Sequence, residues 1–341
     1  MFDQIKGQEK AVQTIVDLIG NKRFPHSLLF YGPEGTGKFT LAKLISRYFC
    51  CPNPDEGSRG RDLCPVCVKI DKEIYHDLVI EKKETYVSRE GEEKEAKEIK
   101  VDQIRSIIKK INYKSVEGPY KFFIIDGAEM MNNISENTFL KTLEEPLPNN
   151  YIILIAHNIN NILPTILSRC VKIKFDPLPG EVLTRLLKEK HGLDDVAASR
   201  ITLVSHGSLR RAQLLLTDNM YATILGTLEE FIGFLVRETI DIPLLYGKVE
   251  EITSMENDHI EILLEFLLLY ISESWKVSGQ FPPAGLVFKK HLNLKNISIK
   301  SYSYMVDEII RIRHYLSDSN INLRLLIENL VLSLKERLIK G

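Results

Sequence analysis

The chain is 341 residues long, 44% hydrophobic and 27% charged, with a formal net charge of −1 at pH 7. Those values suit a folded globular protein of two or three domains and exclude a whole-molecule basic field, so any contact with DNA must be a local patch. No apolar run approaches the ~20 residues of a membrane span, and Met1-Phe2-Asp3-Gln4-Ile5-Lys6 contains no signal-peptide core. The expectation is a cytoplasmic protein without a membrane partner, whose five cysteines are thiols or metal ligands rather than disulfides.

Residues 8–19 carry Ala11, Val12, Ile15, Val16 and Ile19 at helical spacing, and Gly20-Asn21 stops the pattern. The apolar run Ser27-Leu28-Leu29-Phe30-Tyr31 ends in Gly32-Pro33-Glu34-Gly35-Thr36-Gly37-Lys38, and residues 41–49 read as a helix. Residues 50–70 read as irregular and hold Cys50, Cys51, Cys64 and Cys67. Residues 77–81 read as a short strand, and the charge-dense stretch 82–97 as a solvated hairpin or loop.

Residues 101–111 form a helix with Ile104, Ile107, Ile108 and Ile111 on one face and Arg105, Lys109 and Lys110 on the other, a candidate DNA-facing patch. Residues 121–126 and 151–156 are continuous apolar runs, as expected of strands buried on both faces, with a helix over 133–145 between them that Pro146 stops. Residues 171–175 alternate and read as an edge strand. Strands alternating with helices predict an α/β domain with a parallel sheet. Beyond Pro177-Leu178-Pro179-Gly180 every segment is helical in pattern, including 181–191, 194–205 and 209–216. The expected division is a nucleotide-binding-type domain over 1–177 with a Cys-rich module at 50–67, a small helical domain over 178–220, and an all-helical domain over 221–341.

Five constellations carry chemistry. A strand, a glycine-rich loop and a helix together turn backbone N–H groups around phosphates, with Lys38 placed to meet the β- and γ-phosphates. The motif asks for Ser or Thr after the lysine to hold Mg²⁺. Here that residue is Phe39, and Thr40, one position late, is rotated about 100° around the helix. Asp126 ends a central strand, where such proteins hold magnesium; capping of the following turn is the alternative. Arg169 in Leu163-Pro164-Thr165-Ile166-Leu167-Ser168-Arg169-Cys170 lies at the sheet's rim, where an arginine can reach a neighbouring subunit's γ-phosphate or simply be solvated. Arg210 stands in the first turn of a helix after Gly207-Ser208, a place that favours a nearby anion or an ordinary N-cap. Cys64-Pro65-Val66-Cys67, with Cys50-Cys51 before it, could close a tetrahedral structural zinc site, and free thiols are the alternative.

In this order these residues resemble the bacterial clamp-loader AAA+ subunits of DNA polymerase III, nearest to the delta-prime kind and then to gamma/tau. The resemblance is carried by Phe2 with Gly7-Gln8, Pro25-His26-Ser27, Gly32–Lys38, and Cys-x-x-Cys followed by His76-Asp77. It continues through Ile124-Ile125-Asp126-Gly127-Ala128-Glu129, Glu136–Pro146 with its Lys141-Thr142-Leu143-Glu144-Glu145-Pro146, residues 163–170 and Gly207-Ser208-Leu209-Arg210.

The resemblance implies an AAA+ P-loop domain, a helical lid and a helical collar. It also implies a pentameric ring with gamma/tau and delta subunits that loads a sliding clamp onto primed DNA. Arg169 would be the finger acting in trans and Arg210 the sensor-2 arginine, and Asn158 would fall near the sensor-1 position. ATP or ADP would lie at residues 32–40 with Asp126, and a structural zinc at the cysteines. Two motor positions depart from the family pattern: Phe39 replaces the magnesium hydroxyl and Gly127 the catalytic glutamate. They imply a stator rather than a motor; the alternative is an active gamma/tau-type ATPase. Arg61 stands where the family's zinc module carries a further cysteine.

Overall fold

In the computed structural model of the chain, the apolar runs become the central strands of one parallel sheet. The structure describes residues 2–53, 64–82, 85–87, 93–95, 98–217, 220–237, 241–279, 288, 297–316 and 322–340, so Arg61 lies outside the described residues. The elements run α1 (Glu9–Gly20), β1 (Ser27–Tyr31), α2 (Lys38–Cys50), α3 (Pro65–Asp71), β2 (Leu78–Glu81), β3 (Thr85–Val87), β4 (Glu93–Glu95), α4 (Val101–Ile111), β5 (Lys121–Asp126), α5 (Asn133–Glu144), β6 (Asn150–Ala156), α6 (Pro164–Leu167) and β7 (Val171–Lys174).

The strand order is β2-β5-β6-β1-β7, all parallel, which puts β7 at an edge as its alternation predicts. Successive side chains on a strand face opposite ways, and here the two sets enter two different cores. Leu28, Phe30, Phe122, Ile124, Ile153 and Ile155 pack with Ile15 of α1 and Leu41 and Ile45 of α2. Leu29, Phe123, Ile125, Ile152 and Leu154 pack with Ile104 and Ile107 of α4, Phe139 of α5 and Ile166 of α6. A sheet covered on both faces has no solvent side, which is why these strands read as unbroken apolar runs. The architecture is the α/β fold with a parallel sheet expected from the sequence.

The charge-dense stretch holds an antiparallel pair, β3 with β4. The irregular reading of 50–70 is corrected by α3, which starts on Cys64 as N-cap with Pro65 in its first turn. Several motif residues are structural. Gln8 exchanges two hydrogen bonds with the backbone of Asp176, at 2.6 and 3.1 Å. Buried Asp77 accepts the N–H groups of Val116, Glu117 and Gly118, fixing the loop that enters β5.

The helices that follow are α7 (Gly180–His191), α8 (Asp195–Val204), α9 (Leu209–Leu216), α10 (Met220–Leu235), α11 (Ile242–Thr253), α12 (Asn257–Ser278), α13 (Ile299–Tyr315) and α14 (Leu323–Lys340). The chain forms two compact units, Met1–Leu183 with His206–Arg211, and Thr184–Ser205 with Ala212–Gly341. In the second unit Lys335 of α14 is fully buried, and its ammonium donates to the carbonyls of Phe234 (3.0 Å) and Arg237 (2.7 Å). It thereby satisfies acceptors that the end of α10 leaves open. Among the described residues no helix is long and apolar enough to cross a membrane.

Candidate nucleotide site

The loop begins where β1 ends. Gly32 has φ +136°, and a Cβ there would stand 2.0 Å from the Phe175 carbonyl oxygen. Gly35 has φ +70°, and its Cβ would stand 2.4 Å from the Arg210 nitrogen. Both positions require glycine, for conformation and for space. The Thr36 hydroxyl donates to the Pro33 carbonyl at 2.8 Å, tightening the turn. Gly37 then opens α2 without any side-chain cap, leaving its first N–H groups to a ligand.

Lys38 is 4% exposed, and its ammonium donates to the carbonyls of Gly32 (2.6 Å) and Pro33 (2.5 Å). Burial pulls its pKa down to about 8 against the charges of Asp126, Glu129 and Glu34, so it still carries its proton at pH 7. The start of α9 meets the loop: the Leu209 N–H donates to the Gly35 carbonyl at 3.2 Å. Arg210 pairs with Glu34 at 2.9 Å, which brings the expected sensor arginine to the expected loop.

A glycine cradle, an uncapped helix start and a buried ammonium fit the phosphates of a nucleotide. They do not fit a magnesium ion. Phe39 presents a ring where a hydroxyl is needed, and the side chains of Lys43 and Lys82 lie over that ring, 5.8 and 4.3 Å from its centroid. Thr40 is exposed on α2.

Asp126 ends β5 as expected. Burial raises its carboxyl pKa, and the charges of His157, Lys82 and Lys38 pull the other way. Gly127 sits at φ +85° where a motor carries its glutamate. Glu129 does not replace it: its side chain, 3% exposed, accepts the His157 N–H at 2.9 Å. Asn158 is exposed and spends its side-chain oxygen on the Asn160 N–H (3.0 Å), capping a short turn. His157, unread in the sequence, is the residue directly after β6 and lowers the Asp126 carboxyl pKa against its burial. Lys82 was also missed. It follows β2, and the pairing of Glu81 with Ile125 puts Lys82 level with Asp126.

Arg169 stands elsewhere. Val171 pairs with Leu28, so the chain enters β7 near the start of β1, and Arg169 lies two residues earlier, in the turn between α6 and β7. Gly32 lies four residues beyond Leu28, about 13 Å at 3.3 Å per residue. Arg169 therefore lies toward the end of the sheet opposite its own loop. Its guanidinium donates to the Thr165 carbonyl (2.8 Å) and the Ser168 hydroxyl (3.2 Å) and forms an ion pair with Glu144. The Leu-Glu-Glu-Pro and Ser-Arg-Cys motifs thus meet through Glu144 and Arg169. Neighbouring Cys170 is a buried thiol pushed up to about 12 by burial, an ordinary core residue.

Of the four cysteines expected to hold zinc, three come together. The sulfurs of Cys51, Cys64 and Cys67 lie within 4.8 Å of one another, with Cys64 3.6 Å from Cys51 and 3.3 Å from Cys67. Tetrahedral zinc with bonds of about 2.3 Å needs sulfurs about 3.8 Å apart, so the group fits three of four ligand positions. Cys50 is not part of it: its Sγ faces the Tyr120 carbonyl at 3.9 Å, and burial pushes its thiol up to about 12.

A family model for DNA polymerase III, delta subunit, matches residues 7–179. The chain is 29% identical over 294 residues to the DNA polymerase III subunit gamma of Buchnera aphidicola subsp. Acyrthosiphon pisum, covering 80% of this chain and 78% of that protein. It is 27% identical over 326 residues to the gamma subunit of Buchnera aphidicola subsp. Baizongia pistaciae, covering 93% and 75%. Among solved structures, a gamma subunit-related protein of Thermotoga maritima aligns over 97% of this chain and 99% of its own, with 17% identity and a TM-score of 0.48.

Proposed function

We propose that this chain, which belongs to the DNA polymerase III delta-subunit family, is the stator of a clamp loader, lending Arg169 to a neighbour's ATP site while hydrolysing little itself. The observation that supports this reading is the placement of Arg169 toward the far end of the sheet from Gly32. From there it is badly placed for its own phosphates, which leaves it available to those of an adjoining subunit. The replacement of two motor residues, by Phe39 and Gly127, points the same way.

On this reading the partners are gamma/tau and delta subunits in a pentameric ring, with the sliding clamp and primed DNA met through the assembly, in the cytoplasm. Residues 178–220 serve as lid and 221–341 as collar. The loop from Gly32 to Thr40, with Asp126, Asn158 and Arg210 around it, holds ATP or ADP in a structural role.

The names of the gamma relatives favour a second reading, a gamma/tau-type motor. Steady-state ATPase of the purified chain with primed DNA separates the two. A stator gives turnover indistinguishable from that of its Lys38→Ala variant. Substantial turnover that Lys38→Ala abolishes makes the chain a motor.

We assign the three sulfurs to a structural zinc. Its bonds would add directly to the stability of the segment around α3, since such a site does not exist in the unfolded chain. Elemental analysis should find one zinc per chain, lost in Cys64→Ser together with a lower melting temperature. Equal metal content in wild type and variant would remove the assignment.

A further inference from the structure

The absent magnesium hydroxyl leaves a question that a stator does not answer: a loop that gathers phosphates gathers negative charge, and something must balance it. In a motor a divalent cation does so from beside the strand-end aspartate. Here that surrounding is filled differently. Phe39 puts a ring at the metal ligand's position, and the Lys82 ammonium lies over that ring, 4.3 Å from its centroid.

Lys82 is anchored there. It follows β2 directly and stands level with Asp126 across the β2–β5 pairing. Its carbonyl accepts from the Gln103 side chain at 3.2 Å, and the same amide holds Glu81 at 2.6 Å. Its ammonium has a loose ionic partner in Glu73, at 3.6 Å. Its charge acts on Asp126 together with that of Lys38. A ring that a cation can face, a lysine lying over it and the strand-end carboxylate beside them put a positive charge next to the phosphate loop.

We infer that the Lys82 ammonium takes the place of the divalent cation, so that this chain binds a nucleoside di- or triphosphate without metal. The inference rests on the nucleotide reading above and deepens it. Phosphate charge would be shared by Lys38 within the loop and Lys82 at its side. Lys82 would exchange Glu73 for a phosphate oxygen, trading a half-exposed pair for a charge-assisted contact in a more enclosed place. Such a site holds its nucleotide while offering hydrolysis no metal, which suits a subunit whose nucleotide is structural.

The test is titration of the purified full chain with a fluorescent ADP analogue, once in millimolar Mg²⁺ and once in EDTA. The affinities should agree within about twofold. Lys82→Ala should weaken binding about tenfold in both buffers, as expected for losing one charge-assisted contact, while Lys82→Arg binds as wild type does. Lys82 is exposed, so its loss leaves the fold intact. Binding that Mg²⁺ tightens tenfold or more, or that is the same in Lys82→Ala and wild type, overturns the inference and leaves the nucleotide reading standing. No binding in either buffer overturns both.

Discussion

On the stator reading, replacing Arg169 by alanine should abolish hydrolysis at one neighbouring ATP site, by roughly 10³-fold or more in single-turnover rate, without unfolding the chain. The size of the effect follows from chemistry. A guanidinium at the γ-phosphate stabilises charge that develops only in the transition state, so its loss appears in rate rather than in nucleotide affinity. Stability should barely move, because the side chain is about one-third exposed and its ion pair with Glu144 is a surface pair worth at most about 1 kcal/mol. Arg169→Lys should fail nearly as badly, since an ammonium keeps the charge but loses the planar fork. Quench-flow hydrolysis by the reconstituted loader, beside thermal unfolding of the free variant, separates loss of the finger from loss of the fold. An unchanged hydrolysis rate would mean that Arg169 is only a surface residue bound to Glu144.

Gly32→Ala should be the most damaging single methyl in the first unit. The new Cβ would fall 2.0 Å from a backbone oxygen, that of Phe175, in a conformation with φ +136° that alanine resists. Neither side can yield cheaply. The Phe175 N–H donates to the Tyr31 carbonyl at 2.8 Å, locking the segment after β7 to the end of β1. Relief of the clash must open that edge of the sheet, and the expected cost is about 3 kcal/mol or more, within the range of overpacking added to backbone strain. Gly226→Ala is the natural control. Gly226 lies inside α10 with nothing within 4 Å of the added Cβ, so the change should stabilise by about 0.5–1 kcal/mol through helix propensity. Denaturant unfolding checks both. A Gly32→Ala variant as stable as wild type would mean that the loop is not held as described.

Much of this was legible in the residues because the sheet is buried on both faces. Leu28–Phe30, Phe122–Ile125 and Ile152–Ala156 have to be apolar without interruption, so the strands announce themselves. What escaped depends on contacts between distant segments. Lys82 and His157 carry no motif; strand register and the ends of β2 and β6 bring them to Asp126. Glu144 and Arg169 are each in a recognisable string, but only the packing of α5 against α6 joins them.

The adjacent cysteines part because α2 ends between them. Cys50 closes the helix and turns into the core, whereas Cys51 is extended and turns toward Cys64. The start of α3 was readable after all, since a residue that caps with its side chain followed by proline is a helix-opening signal. A cysteine in that capping place, inside a pattern otherwise suggestive of metal binding, hid it.

The stator account is tested most directly by placing two variants of this chain in one reconstituted loader and measuring DNA-stimulated ATPase under identical conditions. The account predicts that Lys38→Ala leaves the loader's hydrolysis at the wild-type rate, whereas Arg169→Ala removes the contribution of the site it faces. The opposite pattern, with Lys38→Ala costing turnover and Arg169→Ala costing none, would contradict it.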